Sequence, residues 1–232
     1  MRRSLLLALL VNLLILTADV TPMLAHQPYF EDVDTTAETP WPLAEPTVSV
    51  ALYFTLASAT DVDYVTFPGR AGQTILVGMV IPQIEGQERF TPQVALLGPG
   101  LTGDGQLPAQ VIIPPDSGAY RLTPVTGEAP IFFEPFSRTR YYQRQEERIT
   151  LPADGRYTVA IWHDGGEVGR YTLVVGDREV FGGDPAFRTK MTNYWQPLPP
   201  TLPPTPVVAT TAPHQQNNAK PEGGCQHLWE EQ

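Results

Sequence analysis

"GRYTVAIWHDGGEVGRYTLVVG" (Gly155 to Gly176) decides the fold class. Tyr157, Val159 and Ile161 alternate with Thr158, Ala160 and Trp162, the two-residue period of a strand, and Val168 to Val175 returns in the same way. Between them His163, Asp164, Gly165 and Gly166 tolerate positive φ, so the stretch predicts a β-hairpin. The same period runs outward from it. In "TVSVALYFTL" (Thr47 to Leu56), Val48, Val50, Leu52, Phe54 and Leu56 share one face. "DYVTF" (Asp63 to Phe67) follows, then "TILVGMVIP" (Thr74 to Pro82), apolar on both faces as a central strand requires. "QVALLGPG" (Gln93 to Gly100) ends in a breaker, and "QVIIPP" (Gln110 to Pro115), "APIFFEPF" (Ala129 to Phe136) and "ERITLP" (Glu147 to Pro152) are shorter strand candidates. One helix is expected after Asp184 as N-cap, with Pro185 in its first position. Many short strands with Gly and Pro between them predict an all-β, jelly-roll-like antiparallel sandwich with one short C-terminal helix.

Residues 1–25 have the anatomy of a secretory signal: Arg2 and Arg3, then an apolar run from Leu5 to Leu16 broken by Asn12. The run is shorter than the ~20 residues of a membrane span. The expectation is therefore a leader cut after Ala25, with Ala18 as a rival, and a secreted or extracytoplasmic protein that keeps no membrane insertion. Residues 26–46, polar and acidic with four prolines, read as an extended N-terminal arm, and 47–196 as the sandwich domain. Residues 197–232 are rich in Pro, Thr, Gln and Asn and read as a disordered tail. A net charge of −10 excludes nucleic acid and anionic membranes as partners, which need a basic footprint. Cys225 is the single cysteine, so the core alone must hold the fold. In the tail it could join two chains through an intermolecular disulfide.

The succession "DVDYVTF…AGQTILVGMVIP…VALLGPG…ITLPADGRYTVAIW…GRYTLVVG" resembles the bacterial pre-peptidase C-terminal domains, whose early strand carries Asp-x-Asp-aromatic and whose late strand follows Gly-x-Tyr. The resemblance covers Thr47 to Gly176, apart from an insertion between Gly100 and Glu147. It implies a jelly-roll sandwich with a non-catalytic accessory role on secreted enzymes or surface proteins, although no enzyme domain accompanies it here.

Three groups of residues could carry chemistry. His26, as a mature N-terminus, would pair an α-amine with an imidazole, and with His163, and Asp164 beside it, could hold copper. The acidic runs "EDVD" (Glu31, Asp32, Asp34) and "TDVD" (Asp61, Asp63), with Asp154, offer hard oxygens for calcium, though without the spacing of a dedicated loop. The insertion sets Arg138, Arg140, Arg144 and Arg148 among Tyr141 and Tyr142. Guanidinium and aromatic groups are enriched at binding hot spots, so Arg138, Arg140, Tyr141, Tyr142 and Arg144 form the expected face for a protein or glycan partner. The alternative is a solvated surface neutralised by Glu134, Glu146 and Glu147, with Phe132, Phe133 and Phe136 in the core. The chain carries no Gly-x-Ser-x-Gly, no His-Glu-x-x-His and no phosphate-binding glycine loop, so the expected function is non-catalytic binding.

Overall fold

A computed structural model describes residues 26–103, 106–135 and 137–198; the expected leader and nearly all of the expected tail, Cys225 included, lie outside them. Among the described residues eleven strands form two sheets. The first sheet holds β1 (Gln27–Phe30), β3 (Val50–Leu56), β5 (Thr74–Pro82), β8 (Ile131–Glu134), β9 (Thr139–Thr150) and β11 (Gly169–Val175), in the order β1-β3-β11-β5-β9-β8. The second holds β2 (Trp41–Pro42), β4 (Val62–Gly69), β6 (Gln93–Gly98), β7 (Gly118–Arg121) and β10 (Gly155–Trp162), in the order β2-β4-β10-β6-β7. Alternation explains the core. Val50, Leu52, Phe54 and Leu56 of β3 meet Val65 and Phe67 of β4, Leu96 of β6 and Val159 of β10 between the sheets. Each such side chain, fully removed from water, contributes about 1.5–3 kcal/mol.

The predicted hairpin does not form. β10 pairs with β4 and β6 in the second sheet, whereas β11 pairs with β3 and β5 in the first. The cause is that β10 is apolar on both faces. Tyr157, Val159 and Ile161 face the main core, while Ala160 and Trp162 join Val62, Tyr64, Ala95, Leu97 and Val111 on the outer side. A strand buried on both faces takes a central place with two partners, so the chain from His163 to Val168 crosses from one sheet to the other. Trp162 donates its indole N–H to Asp164 at 2.7 Å and Gly166 N–H bonds His163 O at 3.0 Å, which fixes the crossing.

Segment 26–46, expected as an arm, is part of the sandwich. β1 lies parallel to β3, and β2 lies parallel to β4, so the antiparallel expectation fails at these two edges. The apolar residues scattered in this acidic stretch anchor it: Phe30 stacks on Tyr53 at 4.7 Å, Trp41 meets Phe54 edge-on at 5.5 Å, and Leu43 enters the core. Gln110 to Pro115 is not a strand. Val111 is buried, but its N–H closes a turn onto Pro108 O and Ile112 N–H bonds the Tyr64 hydroxyl, so the stretch folds over the second sheet. The helix, α1 (Phe187–Tyr194), starts two residues beyond the expected first position Pro185; Asp184 closes the preceding turn, its Oδ1 accepting the Ala186 N–H at 2.7 Å and its carbonyl the Phe187 N–H at 3.0 Å. Its Met191 and Tyr194 pack on the outer face of the first sheet against Phe30, Ala51, Tyr53 and Tyr141. No helix among the described residues is long and apolar enough to cross a membrane.

Leu173→Ala, at a position with no exposure, should lower unfolding free energy by about 2–5 kcal/mol in urea titrations. Ile112→Ala, in the stretch that is not a strand and 53% exposed, should stay within about 0.5 kcal/mol of the parent.

Candidate functional site

Folding brings the two acidic runs together. Glu31 leaves β1 and Asp63 lies in β4, and one oxygen from each of Glu31, Asp34 and Asp63 falls within 4.8 Å of the others. Glu31 Oε1 accepts the Thr35 N–H at 3.3 Å, and its Oε2 accepts the Thr55 N–H at 3.1 Å. Asp63 is 0% exposed and accepts two hydroxyls, Thr35 Oγ1 at 3.0 Å and Tyr171 at 2.6 Å. Since Tyr171 belongs to β11, this last bond ties the two sheets together. Asp32 and Asp154 stand apart: Asp32 pairs with Lys190 at 2.8 Å, and Asp154 receives the Ala71 N–H at 2.7 Å in an ordinary turn contact.

Burial disfavours charge here. It pushes Glu31 up to about 7, with the charges of Asp34 and Asp61 adding and the amides of Thr55 and Thr35 opposing. Asp63 is pushed up to about 9 by burial and then by Glu31, against the hydrogen bonds from Tyr171 and Thr35. Asp61 is raised by the same cause. The cluster can be neutralised by protons. Its oxygens, once deprotonated, are the hard donors that Ca²⁺ takes, so Glu31, Asp34 and Asp63 are the residues that could hold a metal.

The two histidines do not meet. Gln27 pairs with Val50 at the start of β3, whereas Gly169 pairs with Leu56 at its end. His26 and the loop of His163 therefore sit at opposite ends of a strand spanning roughly 20 Å. Each ring has its own partners. His26 Nδ1 bonds the Ser49 hydroxyl, while His163 stacks on Phe90 at 5.4 Å and accepts the amides of Gly165 and Glu167 on Nδ1. Asp164 is divided between Trp162 and Arg121, the latter at 2.5 Å. The copper pair expected from His26 and His163, with Asp164 beside it, is not assembled.

The arginine–tyrosine insertion forms the β8–β9 ribbon, and strand alternation splits its expected face. Tyr141 is 2% exposed, turned under the helix with its ring 5.2 Å from Trp195. Arg144 is buried, donates to Glu88 O at 2.7 Å and lies over the Tyr142 ring, which packs against the core. Arg138 and Arg140 remain exposed, and neither forms an ion pair among the described residues. The expected neutralising carboxylates are engaged elsewhere: Glu147 accepts Tyr120 and Thr123, and Glu134 accepts Ser137.

The surface that sequence reasoning missed is β8 itself. Ile131, Phe132 and Phe133, of which the two phenylalanines were expected in the core, are 57%, 40% and 50% exposed on the edge strand of the first sheet; Phe136 lies outside the described residues. The signal was present in "PIFFEP": three large apolar residues in succession cannot all face one core from a strand. Phe132 also borders a 110 Å³ depression on the outer sheet face, lined by Tyr53, Leu76, Tyr141, Thr172 and Val174.

The acidic cluster sets a pH dependence. Both folded values lie above the ordinary 4.5 and 3.8, so the folded state holds protons that the unfolded chain releases. The stability they supply is fully present below about pH 4 and is lost as pH rises through 7 and then 9. In chelator, the unfolding constant should rise with pH between 5 and 9, by at most about tenfold per pH unit for each proton. Asp63→Asn should flatten the upper part of that curve.

No family model and no curated protein matches the chain. Among solved structures it is similar to a periplasmic inhibitor of g-type lysozyme from Aeromonas hydrophila, at 18% identity and a TM-score of 0.34, over 66% of this chain and 98% of that one. It is likewise similar to the pre-peptidase C-terminal domain of a collagenase from Bacillus anthracis, at 10% identity and a TM-score of 0.35, over 62% of this chain and 99% of that one.

Proposed function

We propose that the chain is a non-catalytic β-sandwich binding module acting outside the cytoplasm, and that it takes a protein partner at the β8–β9 edge. The observation that carries this reading is the run Ile131, Phe132 and Phe133, exposed on a strand that is an edge among the described residues and flanked by Arg138 and Arg140, which form no ion pair among those residues. Exposed apolar residues rimmed by guanidinium groups are the composition of an interface. A bare strand edge adds backbone donors and acceptors that a protein segment can use. The site outside the cytoplasm rests on the leader-like residues 1–25. His26 and His163, at opposite ends of β3, do not form a shared ligand pair, so this reading uses neither.

Replacement of Phe133 by a photoreactive benzoylphenylalanine in producing cells tests this. Irradiation should give a discrete adduct with another protein, and Arg140→Ala combined with Phe132→Asp should cut its yield at least tenfold. The same probe at Phe181, which is 83% exposed away from β8, should give none. Equal adducts from both positions, or none from Phe133, would remove this edge as the recognition surface.

A further inference from the structure

We infer that a second copy of this chain occupies the β8 edge, pairing β8 with β8 antiparallel about a twofold axis at Phe132; this rests on the reading of β8 as a recognition edge. The hydrogen-bond phase defines the register. Gln143 N–H bonds Pro130 O at 2.9 Å, and the β8–β9 pairs run from Ile131↔Tyr142 to Glu134↔Thr139. In an antiparallel ladder, bonded pairs alternate. Phe132 and Glu134 therefore direct their backbone groups to β9, and Ile131 and Phe133 direct theirs outward.

Only one symmetric register uses all four outward groups of each copy. It sets Ile131 opposite Phe133 of the second copy, Phe133 opposite its Ile131, and Phe132 opposite its Phe132. Every exposed large side chain of β8 then meets another. The flanking charges agree: exposed Glu128 precedes the strand and exposed Arg138 follows it, so antiparallel pairing brings opposite charges together at both ends. Neither residue has an ion pair among the described residues.

Two features make this pairing closed. Pro130 and Pro135 bracket β8, and neither can donate a backbone hydrogen bond to a ladder. The opposite edge of the same sheet, β1, lacks a donor at Pro28, whose carbonyl is already taken by Asp184 N–H at 2.7 Å. Gly183 makes that cover close, since a Cβ there would lie 2.4 Å from the Pro28 ring. A head-to-tail chain of β8 onto β1 is thereby disfavoured, leaving the isologous dimer. Four residues on each side is a small contact, so the dimer forms and dissociates with concentration.

Sedimentation velocity of the purified chain, from micromolar to near-millimolar, is the test. The mean mass should rise toward twice the monomer value. Phe132→Lys, which sets like charges on the axis, should weaken association at least tenfold while leaving the urea midpoint unchanged. Mixing Phe132→Lys with Phe132→Glu should restore a heterodimer, which no loss of folding could produce. Phe181→Lys should change nothing. A monomer at every concentration, or a Phe132→Lys variant that still dimerises, overturns the self-pairing. If Phe133 nevertheless captures another protein in cells, the recognition edge stands and only its occupant was wrong.

Discussion

Unsatisfied backbone at sheet edges is the constraint on which this structure depends. A sandwich without disulfides cannot leave long rows of N–H and C=O groups bare without inviting association. The N-terminal segment answers this at two edges. It supplies β1 to the first sheet and β2 to the second, both parallel to their neighbours. A residue strip that composition marks as linker is thus fastened by a few aromatic contacts, and segment 182–184 closes over β1 in turn. β8 is treated differently. It is short and bracketed by prolines, but no strand among the described residues pairs with its outer edge, and Ile131, Phe132 and Phe133 place apolar side chains on both of its faces.

The buried carboxylate of Asp63 connects this edge treatment to the core. Its hydroxyl partners come from Thr35 in the N-terminal segment and Tyr171 in the first sheet, so one side chain of the second sheet holds three parts of the fold. An ionised carboxylate at zero exposure is costly, and Glu31 and Asp34 within 4.8 Å add repulsion. Protonation relieves both. The docking of the N-terminal segment is therefore coupled to pH, whereas β8 lies across the sheet from it and carries no titratable group outward.

The long central strands were legible because alternation reports burial directly, whereas the short edge strands β1, β2 and β7 carry too few residues to show it. Thr74 to Pro82 is apolar on both faces, and β5 lies between β11 and β9 as that pattern requires. Pairing was not legible. Gly155 to Gly176 has every local mark of a hairpin, yet whether two strands share a sheet depends on what covers their second faces, and Trp162 and Ala160 had partners far along the chain. The carboxylate cluster could be seen only as two separate runs, because the parallel addition of β1 is what brings Glu31 to Asp63. The histidine pair failed for the same reason. Chemistry favoured the ligands, but nothing in their spacing related residue 26 to residue 163. In the insertion, residue types marked a candidate surface, but which of its side chains are buried (Tyr141, Arg144) and which are exposed (Arg138, Arg140) depends on the register of β9 and on its irregularity opposite Met79 and Val80.

Amide hydrogen exchange along β8, measured by NMR on dilute monomer and again at high concentration, tests the central claim most directly. The bare-edge account predicts that Ile131 and Phe133 exchange rapidly in the monomer while Phe132 and Glu134, bonded to β9, are protected, and that Ile131 and Phe133 gain protection on concentration. Equal protection of all four amides in dilute monomer would show that the edge is already covered, and would contradict the account.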